Sequence, residues 1–208
     1  MRTEASSIDM DKSELAEVEL KMGVGSLRVR GGSDKLMDGQ FTFNIPSWKP
    51  EVHYDKSAFR SRITIEQPNG HSGGSHGKYE WNLRFNDDKP TDMRIDFGVG
   101  QGDLDLGSLF LRSLEIHMGV GEVRLDLRGA PRKDYDVTIR GGVGHARVYL
   151  PSGVGVRADA KGGIGGINAP GLHKDEEGRY INDAYGHSKT TIRLDIRGGV
   201  GSIELIGG

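Results

Sequence analysis

The stretch Leu114-Glu115-Ile116-His117-Met118-Gly119-Val120-Gly121-Glu122-Val123-Arg124-Leu125 decides the fold. Apolar residues stand six and four positions before Val120 (Leu114, Ile116) and three and five after it (Val123, Leu125). Such period-two alternation is that of a β-strand with one buried face. The two halves are one residue out of phase. In a flat strand that slip would turn half of the apolar set to solvent. The Gly-Val-Gly tripeptide is therefore read as a bend, at which the chain turns a corner and keeps one side inward. Glycine suits it because it takes positive φ without a Cβ clash. The central valine is expected to plug the corner from inside.

The same arrangement occurs six times, at Gly23-Val24-Gly25, Gly98-Val99-Gly100, Gly119-Val120-Gly121, Gly142-Val143-Gly144, Gly163-Ile164-Gly165 and Gly199-Val200-Gly201. Four consecutive copies are 21, 23 and 21 residues apart, a period that suits the rungs of a solenoid. Four before each centre stand Leu20, Ile95, Ile116, Ile139, Ala160 and Ile196; five after stand Val29, Leu104, Leu125, Val148, Ala169 and Leu205. Gly153-Val154-Gly155 lacks these flanks and is left out of the repeat. Outward rows such as Arg28, Asp103, Arg124, Arg147, Asn168 and Glu204 would stack about 4.8 Å apart as mixed-charge ladders.

These features predict an all-β chain folded as a single-stranded, right-handed β-helix-like solenoid. One domain, 1–208, is expected, with a less regular N-terminal β segment and cap at 1–92 and the repeat solenoid at 93–208. Glycine-rich hairpins in a β-sandwich are the weaker alternative, because hairpins rarely repeat one tripeptide at one register. Composition agrees. The 33 glycines are about twice the usual share of roughly 7%, yet they lack the every-third spacing of collagen. Trp48 and Trp81 read as core or cap residues.

The net charge of −2, from 28 basic and 30 acidic residues spread evenly, gives no footprint for nucleic acid or an anionic membrane. The absence of cysteine removes disulfides and thiolate chemistry. The start, Met1-Arg2-Thr3-Glu4-Ala5-Ser6-Ser7, has no apolar signal core, and no run approaches the roughly 20 apolar residues of a membrane span. No targeting or anchoring segment is therefore expected within these residues. Each Gly-x-Gly is followed by strand pattern, which argues against a nucleotide-binding turn. The aspartate of calcium-binding nonapeptides is replaced by core residues, as at Ala146 and Ile203.

No catalytic, cofactor or metal site is expected. His71 and His76 flank a Gly/Ser loop and would make at most a weak two-imidazole site. Asp105 and Asp126 both stand six residues after their centres, so neighbouring rungs would pair two carboxylates, as glycoside-cleaving enzymes require. A polysaccharide-binding or polysaccharide-cleaving β-helix is thus the alternative function. The best interaction candidate is the excursion at 170–189, where Tyr180, Asn182, Asp183 and Tyr185 offer aromatic and hydrogen-bonding groups on a scaffolded loop. A structural Asx turn at Asn182-Asp183 is the competing reading.

Several stretches together resemble one bacterial family. They are Lys21-Met22-Gly23-Val24-Gly25-Ser26-Leu27, Leu104-Asp105-Leu106 with Leu109-Phe110-Leu111-Arg112-Ser113-Leu114, Gly153-Val154-Gly155-Val156-Arg157 and Asn182-Asp183-Ala184-Tyr185-Gly186. The combination resembles the toast-rack domain, related to the C-terminal domain of LiaF-like proteins that respond to cell-wall-active antibiotics. The resemblance implies stacked β architecture, an extracytoplasmic place at the cell envelope and no known catalytic residues. The expected role is a structural or interaction domain, an accessory in envelope stress. Its partner would be an envelope protein, or another copy meeting it end to end, because the last repeat, Ser202-Ile203-Glu204-Leu205-Ile206, has little after it to cover it.

Overall fold

A computed structural model describes residues 1–68 and 77–208. Four long strands, β2 (Leu15–Arg30), β7 (Thr91–Asp105), β8 (Leu111–Asp126) and β9 (Tyr135–Leu150), run straight through the corner. They pair in parallel with Val24, Val99, Val120 and Val143 opposite one another. Each therefore has a first arm before the tripeptide and a second arm after it. In the last two copies the strand is interrupted at the glycines. These copies are β10 (Gly155–Lys161) with β11 (Ile167–Asn168), and β14 (Thr191–Arg197) with β15 (Val200–Gly207). They keep the register, with Val200 opposite both Val143 and Ile164. The chain is a β-solenoid whose continuous sheet folds along the glycine line into two layers around one core.

The rows read from the sequence form that core. Leu20, Ile95, Ile116, Ile139 and Ile196 are buried on the first arm, and Val29, Leu104, Leu125, Val148 and Leu205 on the second. Each fully buried aliphatic of this kind contributes about 1.5–3 kcal/mol. Return loops add Leu106, Leu109, Leu127 and Val154.

The corner itself differs from expectation. Val24, Val99, Val120, Val143 and Val200 are 47–48% exposed and Ile164 75%, so the central residue faces solvent. The phase slip is achieved by two successive outward positions, the first glycine and the valine. Met22, Phe97 and Met118, two residues before the centre, fill the inside in the first three rungs, and Gly141, Gly198 and Gly162 hold that position in the others.

What demands glycine is contact between rungs. A Cβ on Gly121 would lie 1.9 Å from the Gly100 carbonyl oxygen, and one on Gly144 1.8 Å from that of Gly121. The first glycines are as tight, Gly98 against the Gly23 carbonyl at 2.2 Å and Gly142 against that of Gly119 at 2.4 Å. The second glycine also has positive φ in all six copies, from 126° at Gly165 to 145° at Gly25.

Spatial order departs from chain order at the end. The last repeat, β14/β15, lies between β9 and β10/β11, so it is an internal rung and not an open terminus. The expectation that it leaves an uncovered end is overturned: hydrogen bonding to both neighbours is better satisfied by insertion than by a last-in, last-stacked order. Beyond β10 a hairpin of β12 (His173–Lys174) and β13 (Tyr180–Ile181) extends the first-arm layer.

The opposite end is built by residues near the N-terminus. β5 (Arg60–Glu66) pairs with the first arm of β2, and β6 (Tyr79–Phe85) with its second arm. β4 (Glu51–Lys56) then edges the first layer, and β3 (Met37–Phe43) and β1 (Arg2–Ile8) edge the second. Edge strands this charged (Glu51, Asp55, Lys56) or this short (β12) discourage further pairing. Trp81, Phe41, Tyr79 and Trp48 form an edge-to-face aromatic cluster inside this cap. At the corner on the outer side of Gly23 the Gln67 side chain takes the place of a neighbouring rung: its Oε1 accepts from the Gly23 and Val24 amides at 2.8 and 3.0 Å.

Gly121→Ala should destabilise the fold by about 3 kcal/mol or more, or prevent folding, because backbone must move to admit the methyl group. Gly153→Ala, in the tripeptide outside the repeat, meets nothing within 4 Å and should change stability by less than about 0.5 kcal/mol. Urea denaturation of the two variants checks this; equal effects would contradict it.

Candidate functional site

In-register stacking aligns the outward side chains into rows across the rungs. One second-arm row runs Asn82, Arg28, Asp103, Arg124, Arg147, Glu204, Asn168. On the first arm, Arg94 bridges Asp96 at 2.9 Å and Glu115 at 3.3 Å, Arg140 meets Asp195 at 3.1 Å, and Arg197 meets Asp159 at 3.1 Å. Exposed pairs contribute about 0–1 kcal/mol each. Their larger effect is to cancel charge over much of the outer surface.

Asp105 and Asp126 do stand opposite each other on β7 and β8. Asp126 is buried and held by Arg128 through Nη2 at 2.5 Å and Nε at 2.9 Å, with Arg124 at 3.3 Å. Arg128 lowers the Asp126 carboxyl below the usual range, burial opposing it only in part and Arg124 adding to the lowering. That is opposite to the raised pKa of a general acid. Both arginines also stack over the Tyr149 ring, at 4.8 and 4.9 Å.

The excursion proposed for interaction is divided by the structure. Asn182 turns inward and is buried; its Nδ2 donates to the Val154 and Pro151 carbonyls at 2.8 and 3.2 Å, and its Oδ1 accepts from the Val156 amide at 2.9 Å. It is a clamp holding the excursion to β10. Tyr180 is half-buried in β13 with Lys174 Nζ 5.2 Å from its ring centre. Asp183 is fully exposed, 3.7 Å from His173, and Tyr185 is half-buried with its amide bonded to the Asn182 carbonyl. Asp183 thus faces solvent and Tyr185 is partly exposed, while Asn182 fixes their base.

One polar cluster had no signal in the sequence. Lys89 and Asp11 form a buried ion pair at 2.8 Å, their side chains 5% and 8% exposed. Asp11 also accepts from the Ser13 and Tyr54 hydroxyls, both at 2.5 Å, and Lys89 donates to the Ser13 carbonyl. Burial alone would raise the Asp11 carboxyl, but the bonds from Lys89, Ser13 and Tyr54 outweigh it and hold it well below the usual range. Burial, aided by Asp11, pushes the Tyr54 hydroxyl up to about 12. The cluster ties the loop before β2 to β4 and to the loop before β7.

Among the described residues Glu51, His53 and Glu66 bring potential ligand atoms within 4.8 Å of one another. Lys21 lies 4.0 Å from Glu66, and two of the three are exposed. Nothing beyond proximity separates this group from an ordinary charged surface. His71 and His76 lie outside the described residues. No described helix is long and apolar enough to cross a membrane.

A glycine-cornered β-coil with self-paired outer faces defines the class of the molecule, and sequence comparison gives the family. A model of the N-terminal domain of toast-rack proteins matches residues 1–149, and one of the C-terminal region of LiaF, of the cell wall-active antibiotics response, matches 108–205. The chain belongs to the toast-rack family. The crystal structure of a candidate cell adhesion protein from Clostridium sporogenes is 35% identical, with 100% of this chain and 99% of that one covered and a TM-score of 0.93. A candidate adhesin from Bacteroides fragilis is 12% identical over 98% and 96% of the two chains, with a TM-score of 0.25. A search of the curated proteins found no match.

Asn182→Ala should cost about 2–3 kcal/mol, because it leaves the Val156 amide and two carbonyls unpaired in the interior. Asp183→Ala should be neutral within about 0.5 kcal/mol. Urea melts distinguish them. Asp11→Asn should cost about 3–5 kcal/mol at pH 7 by stranding the Lys89 charge. The folded Asp11 carboxyl titrates below its unfolded value of about 3.9. Its stabilisation is therefore complete above that value and lost as pH falls toward the folded one. The gap between wild type and Asp11→Asn, followed by denaturation from pH 7 to 2.5, should narrow below about pH 4.

Proposed function

We propose that this chain is a non-catalytic interaction domain of the bacterial cell envelope, working outside the cytoplasm as an accessory in the response to envelope stress. The observation that carries the reading is the match of residues 108–205 to the antibiotic-response LiaF C-terminal region. The full-length likeness to a candidate cell adhesion protein supports a role in contact. The chemistry points the same way: the paired carboxylates sought for glycan cleavage include one held ionised by arginine, a poor proton donor.

The element offered to a protein partner is the excursion between β11 and β14, with Asp183 exposed and Tyr185 partly exposed, Tyr180 beside them and Asn182 as the internal clamp. Loops carried on a rigid scaffold are where recognition groups concentrate. End-to-end contact between copies is the weaker option, since both ends are closed by short or charged strands.

A photo-crosslinking residue at position 183, in cells challenged with a cell-wall-active antibiotic, should trap a defined envelope protein. The same residue at position 153 should not. Products confined to cytoplasmic proteins, or identical from both positions, would refute the proposal.

A further inference from the structure

An open depression lies on the outside of the second-arm layer, where β1, β3, β6 and β2 meet. Arg28, Arg30, Arg84 and Lys35 border it, with Gln40 and Asn82 between them. On several other outward rows cations have close acidic partners: Arg140, Arg147 and Arg197 each have a carboxylate at 3.1 Å or nearer. Here they do not. Asp103 is shared by three guanidinium groups, those of Arg28 at 3.5 Å, Arg30 at 3.6 Å and Arg124 at 3.1 Å.

Arg84 has no ion pair among the described residues. Its Nη2 donates to the Gly32 carbonyl at 2.7 Å and its Nε to that of Gly31 at 3.5 Å, which anchors the side chain and leaves the Nη1 edge of the fork for a ligand. Lys35 reaches Asp38 only at 4.0 Å, and that carboxylate is already engaged by the Ser33 hydroxyl at 2.5 Å. The depression thus carries more fixed positive charge than its own carboxylates offset.

We infer that this depression binds an oxyanion group, sulfate, phosphate or carboxylate, carried on a hydroxyl-rich polymer. Guanidinium forks match the geometry of such oxyanions. The Gln40 and Asn82 amides supply both donors and acceptors for neighbouring hydroxyls. Asn82 Oδ1 already accepts from Arg28 at 3.2 Å, which sets that amide with its NH2 group free to donate. The protein's net charge of −2 gives polyanions no general attraction, so binding would report this local site. The inference deepens the envelope reading and rests on it only for the source of the polymer; binding itself is a property of the purified chain.

Isothermal titration at low ionic strength with dextran sulfate, and with unmodified dextran beside it, tests the site. Dextran sulfate should bind, more weakly as salt is added, and dextran should not. Arg28→Gln/Arg84→Gln should weaken binding by at least about tenfold. Arg157→Gln/Lys161→Gln, with the same charge change on another face, should stay within about twofold. Unfolding midpoints show whether each variant is folded, and Arg30→Gln/Lys35→Gln replaces the first pair if it is not. Absence of dextran sulfate binding, equal binding of dextran, or equal loss in both variants would overturn the inference, and none of these would touch the envelope location.

Discussion

At each corner of the coil the α-carbon of one glycine rests against the carbonyl oxygen of the glycine one rung below. A methyl group there would come within 1.8–2.5 Å of that oxygen along the four continuous rungs. The contact has two consequences. It forces glycine at both sides of the corner in every rung but the first, where Gly23 faces only the Gln67 side chain, and it fixes the register, because sliding a strand by one residue would set a valine where only hydrogen fits. Once the register is set, the buried rows align into one core and the outward rows align into charge ladders. Gln67 shows the same constraint at the boundary, where a side-chain oxygen stands in for the missing carbonyl.

The outer faces of a coil built this way are patterned by arithmetic: whatever stands at one position of the repeat stacks about 4.8 Å from its equivalents. Along much of the molecule acidic and basic members of neighbouring rows pair with one another. The proposed contacts fall where the repeat is broken. The excursion at 170–189 and the irregular strands between β2 and β7 are such places, and both rest on buried polar clamps, Asn182 in one and the Asp11–Lys89 pair in the other.

Much of this was legible in the sequence because the corner needs a residue type that cannot be replaced. The tripeptide and its phase slip revealed the rungs, their arms and the buried rows. The direction of the central valine was not legible, since a slip of one residue is satisfied equally by an inward plug or by two outward neighbours. Only the packing of Met22, Phe97 and Met118 inside the bend decides between them. The position of the last repeat was hidden because chain order need not be spatial order. Asp11 and Lys89 stand 78 residues apart with no periodicity to link them. Asn182 was noticed for the right chemistry, hydrogen bonding in an Asn-Asp pair, but its amide serves the scaffold, where burial decided its role.

The insertion of the last repeat between the 143 and 164 rungs is the sharpest claim about the architecture, and the absence of cysteine makes it directly testable. Val143, Val200 and Ile164 are solvent-facing, so cysteines there would leave the core untouched. Adjacent parallel rungs are about 4.8 Å apart, within the 4.4–6.8 Å between α-carbons that a disulfide spans. Under mild oxidation the 143/200 and 200/164 cysteine pairs should crosslink within the chain, and the 143/164 pair should not. Crosslinking of 143 to 164 with none of 143 to 200 would show rungs stacked in chain order and contradict the fold described.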